Sequence, residues 1–523
     1  MSVDLVPARA AESTSGGDEV PPGAGRLSRS ALLLVMGLTA ASVAANFFDL
    51  GSRSLWNDEI HSALIAAHHG TSLWSAVTAD GGNMMLYYVL LRGFVSLFGD
   101  GQLALRVSTA LAGTGLTPVI FFLGRRMFGL RTAVIAAAIV AVSPALVVWN
   151  QQARGYSLGT LLIALSLLAV FRAIECPTRR RWCVYGLFVV LSIYTIAYAA
   201  MFLFAQWLAF VFWPRARRQA KPMLAVVGVA VLAYVPLVML MLRTGAASVL
   251  STNPVPSTGE GVHLLEELTL GVAPDFVAVT LVSGIVTVVG LLCWVGASSE
   301  LVSRVRSAHG KAACLGIALS WLLVPLLLDP VFSLAYRSIF NSSFLLQSVP
   351  AGALVVAFAL GELLPGALSH GFAVVFVALL VAALLPTYGV SFEQWAQASR
   401  YIRTASRPGD CLTVNKAELA SNLAYYFSLE RGSSAVPQLV LPALTWSDAL
   451  SGTSPPAAPS ESFATVASSC RRLWVVVSRA SPAQFVLING EANWFYQHGF
   501  THTTVAHFTP RLGFGINVAL LAR

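Results

Sequence analysis

The stretch SLWNDEIHSALIAAHHG, residues 54–70, sets two carboxylates side by side, Asp58 and Glu59, with His61 close behind, in a chain where only 11% of residues are charged. Such a pair has two readings. Carboxylates in the first turn of a helix meet unsatisfied backbone N–H groups and the positive end of the helix dipole, so the pair can simply cap a helix. Adjacent helical residues also point about 100° apart. One acid can therefore face a cavity while its neighbour holds the surrounding backbone, which is the layout of a general base with a supporting partner. His61 reads as a surface-helix histidine with at most a secondary part. Asp80, in ADGGN, offers a second acidic position, with a turn carboxylate as the equal alternative.

The cations that stand out are arginines at the ends of apolar runs. Arg154 and Tyr156, in WNQQARGYSL, fall at the junction of two runs, Arg106 opens another, and Arg337 with Tyr336 sits in DPVFSLAYRSIFNSSF. One arginine at such a junction commonly snorkels to lipid headgroups. Three of them beside an acid pair read as a site for an anionic substrate, because a guanidinium matches phosphate and carboxylate geometry.

The elements that must position these residues are membrane helices. A content of 56% hydrophobic residues and a mean hydropathy of +0.72 over 523 residues exceed what a soluble globular chain carries. About eleven runs have the length and apolarity of spans: 31–50, 102–123, 132–150, 156–174, 183–197, 198–213, 223–242, 276–297, 312–328, 344–360 and 371–387. Basic clusters at Arg125/Arg126/Arg131, Arg172/Arg179/Arg180/Arg181, Arg215/Arg217/Arg218/Lys221 and Arg304/Arg306/Lys311 all fall on the side of the N-terminus, which the positive-inside rule makes cytoplasmic. The net charge of +9 thus reports topology and gives no reason to expect nucleic acid. The run 83–99 is apolar enough to tempt a further crossing, but counting it would put every basic cluster outside. It is expected instead as a surface or re-entrant helix. Residues 51–101 then form one long first outer loop with two surface helices, about 58–70 and 83–99.

Residues 1–28 are too polar and too rich in Pro and Gly to pack and are expected as a disordered cytoplasmic tail. Residues 29–390 form the membrane domain. From 391 to 523 the composition turns to that of a soluble α/β domain, extracytoplasmic after an odd number of crossings. FEQWAQASRYIRTASRPGDCLTVN reads as a helix then a strand, with further strands at 471–479 and in the closing residues. Cys411 and Cys470 each precede such a strand and could pair on an oxidising side. Trp395, Trp494, Phe495 and Tyr496 read as core, with stacking on sugar rings as the alternative.

An anion received by a membrane cavity at the outer interface suits a lipid-linked phosphate, its tail among the spans and its headgroup on the arginines. At these residues the chain resembles a family: the bacterial glycosyltransferases of the protein mannosyltransferase and aminoarabinose transferase type, with the membrane-embedded GT-C fold. LWNDEIHSA resembles the family's first-loop Asp-Glu motif, and DGGNMMLYYVLLRGFVSLFG its D-x-x-x-P-P-L-Y-Y segment. LALRVSTALAG resembles R-x-x-S-A-L-x-G, and SPALVVWNQQARGYSL is similar to the S-P and E-A-R-x-Y-S-L element. Two departures stand out. Met84-Met85 replaces Pro-Pro, and Gln152 replaces the Glu before Ala-Arg, removing a charge that would orient Arg154 or meet a metal.

The resemblance implies Asp58 as catalytic base, Glu59 as its companion, and Arg154, Tyr156 and Arg337, with Arg106, at the donor phosphate. It implies a polyprenyl-monophosphate sugar as donor, mannose favoured, an extracytoplasmic protein, glycolipid or polysaccharide hydroxyl as acceptor, and inversion at the sugar carbon. Transfer of an amino or pentose sugar is the alternative within enzymes, and lipid or glycolipid transport the alternative outside them. A phosphate leaving group is already stable, so no cofactor or metal is required, and no ligand pattern in the chain indicates one.

Overall fold

The computed structural model describes residues 27–211, 213–244, 255–270, 309–336, 338–429, 435–451, 466, 468–478, 493–510 and 514–523. The apolar runs form helices: α1 (Arg29–Phe47), then α2 (Asn57–Ala67), α3 (Gly70–Ala79) and α4 (Met85–Phe98) in the following segment, then α5 (Gln102–Met127), α6 (Leu130–Val142), α7 (Pro144–Asn150), α8 (Tyr156–Glu175), α9 (Arg179–Thr195) and α10 (Ala199–Val211). Helices at Ala220–Thr244, His309–Ala335 and Gly366–Thr387 follow. Between the last two, Ser342–Leu363 forms one further long apolar segment.

Among the described residues, seven helices are long and apolar enough to cross a membrane, and eight if the bent pair α6–α7 is one span. The 52° bend has a local cause. Pro144 disfavours helical geometry at Ser143, which lies at φ −62°, ψ 118°, and the Ser143 hydroxyl caps the new helix by accepting from the N–H of Leu146. The expected spans 183–197 and 198–213 are α9, with 17 residues, at the short end of the range for a crossing, and α10, with 13, below it. The expected span 276–297 lies outside the described residues. At 14 residues, α4 is about 21 Å long, too short for a hydrocarbon core of about 30 Å. The burial pattern suits a bilayer as solvent: 78% of α8's apolar stretch is enclosed, against 22% for Ala220–Thr244 and for Gly366–Thr387, whose outward faces expose Leu232, Leu242, Val374 and Leu385.

A buried polar knot ties α1, α5 and α7 together. Asn150 Nδ2 donates to Asn46 Oδ1 (2.9 Å), Asn46 Nδ2 to Ser42 Oγ (3.1 Å), and Thr117 Oγ1 to Ser42 Oγ (3.0 Å). Gly113 of α5 leaves the room for it, since a Cβ there would stand 2.1 Å from Asn150 Cγ. Gly113→Ala is therefore expected to force Asn150 out of the knot and to destabilise the protein by about 1–3 kcal/mol, the usual range for overpacking. A thermal-unfolding midpoint in detergent that is equal for variant and wild type sinks this expectation.

The segment between α1 and α5 differs from the sequence expectation. One helix was expected over 58–70; the chain breaks at His68, in extended geometry, and restarts as α3, an unforeseen helix, at Gly70 with φ +52°. The ring of Pro at position 84 would not fit, because Met84 starts α4 in the left-handed region at φ 59° whereas proline holds φ near −65°.

The C-terminal portion contains a five-stranded sheet in the order β2-β1-β3-β5-β4, with β1 (Cys411–Val414), β2 (Gln438–Leu441), β3 (Arg472–Ser478), β4 (Thr501–Phe508) and β5 (Ile516–Ala522). Strands β1, β2 and β3 run parallel, and β5 pairs antiparallel with β3 and β4. Helices Trp395–Ala405 and Ala417–Leu429 accompany them. Cys411 and Cys470 form a disulfide with their Cα atoms 6.0 Å apart. Trp395 and Phe495 are buried, and Trp494 and Tyr496 pack against the core beside the sheet, in line with the core reading of all four.

Candidate active site

The two acids at the start of α2 diverge as helix geometry dictates. Glu59 turns inward and is fully buried. Its Oε1 accepts from Arg106 Nε (2.7 Å) and from the N–H of Ala153 (2.8 Å), and its Oε2 from Arg106 Nη2 (2.7 Å) and the N–H of Trp56 (3.4 Å). A carboxylate out of water needs this bidentate partner, since an unpaired buried charge is costly.

Arg106 has no donor to spare. Its Nη1 goes to the carbonyls of Leu50 (3.2 Å) and Arg53 (3.0 Å), and Nη2 also to that of Ser54 (3.2 Å). The expectation of Arg106 at the donor phosphate is thereby corrected: with 2% exposure and all five N–H groups committed, it clamps the segment 50–59 onto α5. Glu59, fully buried, acts as the fixed partner of that clamp.

Asp58 points the other way, its side chain 30% exposed, with Arg154 Nη2 4.0 Å from Oδ2. Arg154 comes from the turn between α7 and α8. Its Nη1 donates to the Asp58 carbonyl (3.5 Å), Ser62 Oγ (3.4 Å) and Tyr88 OH (3.4 Å), while its buried Nε has no hydrogen-bond partner among the described residues. The guanidinium lies 5.8 Å from the ring centre of Tyr156, and that ring, at the first position of α8, stands edge-on to Trp149 at 5.1 Å. Asp80, at the end of α3, accepts from Tyr88 OH (3.0 Å) and contacts His61 Nε2 at 2.9 Å. Burial, and then the Asp80 carboxylate, push the Tyr88 phenol well above its ordinary range, which keeps it a donor to Asp80.

The fold thus gathers Asp58, Arg154, Tyr156 and Asp80 into one connected set and puts Glu59 and Arg106 beneath it. Arg337 lies outside the described residues. Ser62 and Tyr88 went unremarked in the sequence reading. The signal for both was present: Ser62 is four residues after Asp58 and shares its helix face, and Tyr88 is the second tyrosine of the LYY segment. The Gln152 amide is buried with neither end hydrogen-bonded among the described residues, and it meets Arg154 only through the backbone, Arg154 N–H to Gln152 O (2.7 Å). Among the described residues, no group of three or more His, Cys, Asp and Glu could hold a metal ion. A mostly apolar groove of about 330 Å³ opens between α3, α4 and Ala220–Thr244, lined by Trp74, Met85, Leu237 and Leu240 with Arg243 at its edge.

Among the described residues, apolar helices carry a helical segment between the first two long spans and a five-stranded sheet after the last. The chain is similar in structure to ArnT from Cupriavidus metallidurans in the apo state, with a TM-score of 0.56 and 15% identity over 94% of this chain and 98% of that one. It is also similar to ArnT from the same organism bound to undecaprenyl phosphate, with a TM-score of 0.55 and 15% identity over 92% and 97%. Residues 83–241 match the family profile of dolichyl-phosphate-mannose-protein mannosyltransferase, a stretch that includes Arg106, Arg154 and Tyr156. No curated protein matches the chain in sequence. Family profile and fold agree with the resemblance drawn from the sequence, a GT-C glycosyltransferase of the protein mannosyltransferase and aminoarabinose transferase type.

Proposed function

We propose that this protein transfers a sugar, mannose in the favoured reading, from a polyprenyl-monophosphate donor to the hydroxyl of an extracytoplasmic acceptor, with Asp58 as general base. The observation that carries the reading is the contrast within the acid pair: Glu59 is fully buried against Arg106, while the Asp58 side chain is 30% exposed and lies 4.0 Å from Arg154. The Asp58 carboxylate takes the acceptor's hydroxyl proton as the acceptor oxygen attacks the sugar carbon. The bond from that carbon to the phosphate oxygen breaks, and polyprenyl phosphate leaves with the bonding pair. Attack opposite the leaving group inverts the centre. Arg154, with Nε uncommitted, meets the charge that grows on the phosphate, and donors aimed at developing charge in a water-poor site are the strongest kind of catalytic contact. Tyr156 borders the same space, and Arg337 is proposed with it on the strength of the sequence alone.

The undecaprenyl phosphate bound to ArnT supports a lipid-linked phosphate here, and the apolar groove lined by Trp74, Thr78 and Met85 suits a prenyl chain. In this reading the N-terminal tail is cytoplasmic and the sheet domain lies outside, in contact with the acceptor. The protein in lipid nanodiscs, given radiolabelled polyprenyl-phosphate mannose, glucose or arabinose and a membrane extract as acceptor source, is expected to move label from the mannose donor. Transfer from the arabinose donor alone replaces mannose by a pentose. No consumption of any donor removes the transferase reading and turns the test to transport.

A further inference from the structure

The four residues that lead into Asp58 are held by the C-terminal domain. Tyr426 OH accepts the N–H of Leu55 (2.7 Å) and lies 3.2 Å from Ser54 Oγ, which itself accepts the N–H of Ala396 (3.1 Å). The ring of Trp56 stacks on Phe392, centroids 5.3 Å apart and planes at 27°. Glu393 Oε2 accepts the N–H of Asn57 (2.8 Å) and the indole N–H of Trp395 (2.7 Å). Asn422 Nδ2 donates to Asn57 Oδ1 (3.0 Å).

Glu393 is fully buried and Asn422 is 1% exposed, so neither faces a substrate. The N–H of Asn57 belongs to the first turn of α2 and has no partner within that helix. A carboxylate at this end also meets the positive end of the helix dipole. The local sequence supplies no oxygen for Asn57: the N-cap is Trp56, which makes no side-chain cap hydrogen bond to α2. The missing cap comes from 336 residues away.

We infer that Glu393, backed by Asn422, is a positioning residue for Asp58: it anchors the start of α2 from the C-terminal domain, so that the base meets its acceptor in register. The soluble domain then completes the active site of the membrane domain, whatever else it binds. The inference rests on Asp58 being the base. Arg106 and Glu59 grip the same segment from the membrane side, so losing Glu393 loosens α2 at its tip without releasing it.

The test compares wild type, Glu393→Ala and Glu393→Gln as full chains in nanodiscs, by hydrogen exchange and by transfer kinetics. In Glu393→Ala the peptide covering residues 54–62 is expected to exchange faster, with peptides of α5 and α8 unchanged. The kcat is expected to fall about 10–100-fold, the scale of a small misplacement of a catalytic group, with the donor KM within about twofold. Glu393→Gln keeps an oxygen for both N–H groups and is expected to recover most of the rate. Unchanged exchange at 54–62, or a kcat within about twofold in Glu393→Ala, overturns the inference. Faster exchange in α5 and α8 as well overturns it too, since Glu393 then serves folding alone. A wild type that transfers no sugar overturns the transferase reading and, with it, the catalytic half of the inference. The exchange arm separates that failure from failure of the Glu393 contact.

Discussion

Asp58→Asn is expected to leave a folded protein that has lost transfer. The amide has nearly the shape of the carboxylate but cannot take a proton at neutral pH, so the variant forfeits general-base catalysis, worth about 10²–10⁴ in kcat. Donor binding is expected to change little, because the phosphate contacts proposed here come from Arg154 and its neighbours. Stability is expected to hold as well. The charge contact between Asp58, 30% exposed, and Arg154, 12% exposed, spans 4.0 Å, too long for a direct hydrogen bond, so little is lost when an amide of the same shape replaces the carboxylate. The measurement is single-turnover transfer from the donor that wild type accepts, alongside a thermal-unfolding scan. A variant within tenfold of wild type moves the base elsewhere, with Asp80 the next acid to replace.

Removing the other acid should do the opposite. Glu59→Gln leaves the Arg106 guanidinium buried against a neutral amide, and Arg106→Ala leaves the Glu59 carboxylate with two backbone N–H groups and without its bidentate counter-charge. Breaking one side of a buried pair costs about 3–5 kcal/mol, a large share of the roughly 5–15 kcal/mol that holds a typical domain folded. The expected result is a steep fall in yield and unfolding temperature for either single variant. The paired change Glu59→Gln with Arg106→Met should recover part of it, since no lone charge remains inside. Equal unfolding temperatures for Arg106→Ala and wild type would falsify the clamp. Together the two experiments separate chemistry from architecture within one dipeptide: the first acid is expected to move rate without stability, the second stability before rate.

Much of this was legible in the chain. The apolar runs became helices because a run of that length and composition finds no other buried state that satisfies its backbone. The acid pair falls at a helix start, where carboxylates meet unpaired N–H groups. The helix and strand around Cys411, and its disulfide with Cys470, follow from local patterning that agrees with the folded state. The exceptions also have local causes: α3 restarts at a glycine with positive φ, and α9 ends where Ile196 is extended, at φ −155°, ψ 119°.

The sequence by itself determined that two acids stand next to each other on α2 and therefore point about 100° apart. Only the tertiary structure decided which of them is spent. That choice depends on Arg106, 47 residues on, and on the backbone of Ala153, 94 residues on, both reaching Glu59. It also decided that Arg106 serves the scaffold while Arg154, alike in sequence context, stays beside Asp58. Nothing in residues 54–58 foretold that the cap of their helix would be Glu393. Rotation about a helix axis and the burial of a charge are settled by what packs against each face, and partners so distant in the chain leave no periodicity or spacing to read.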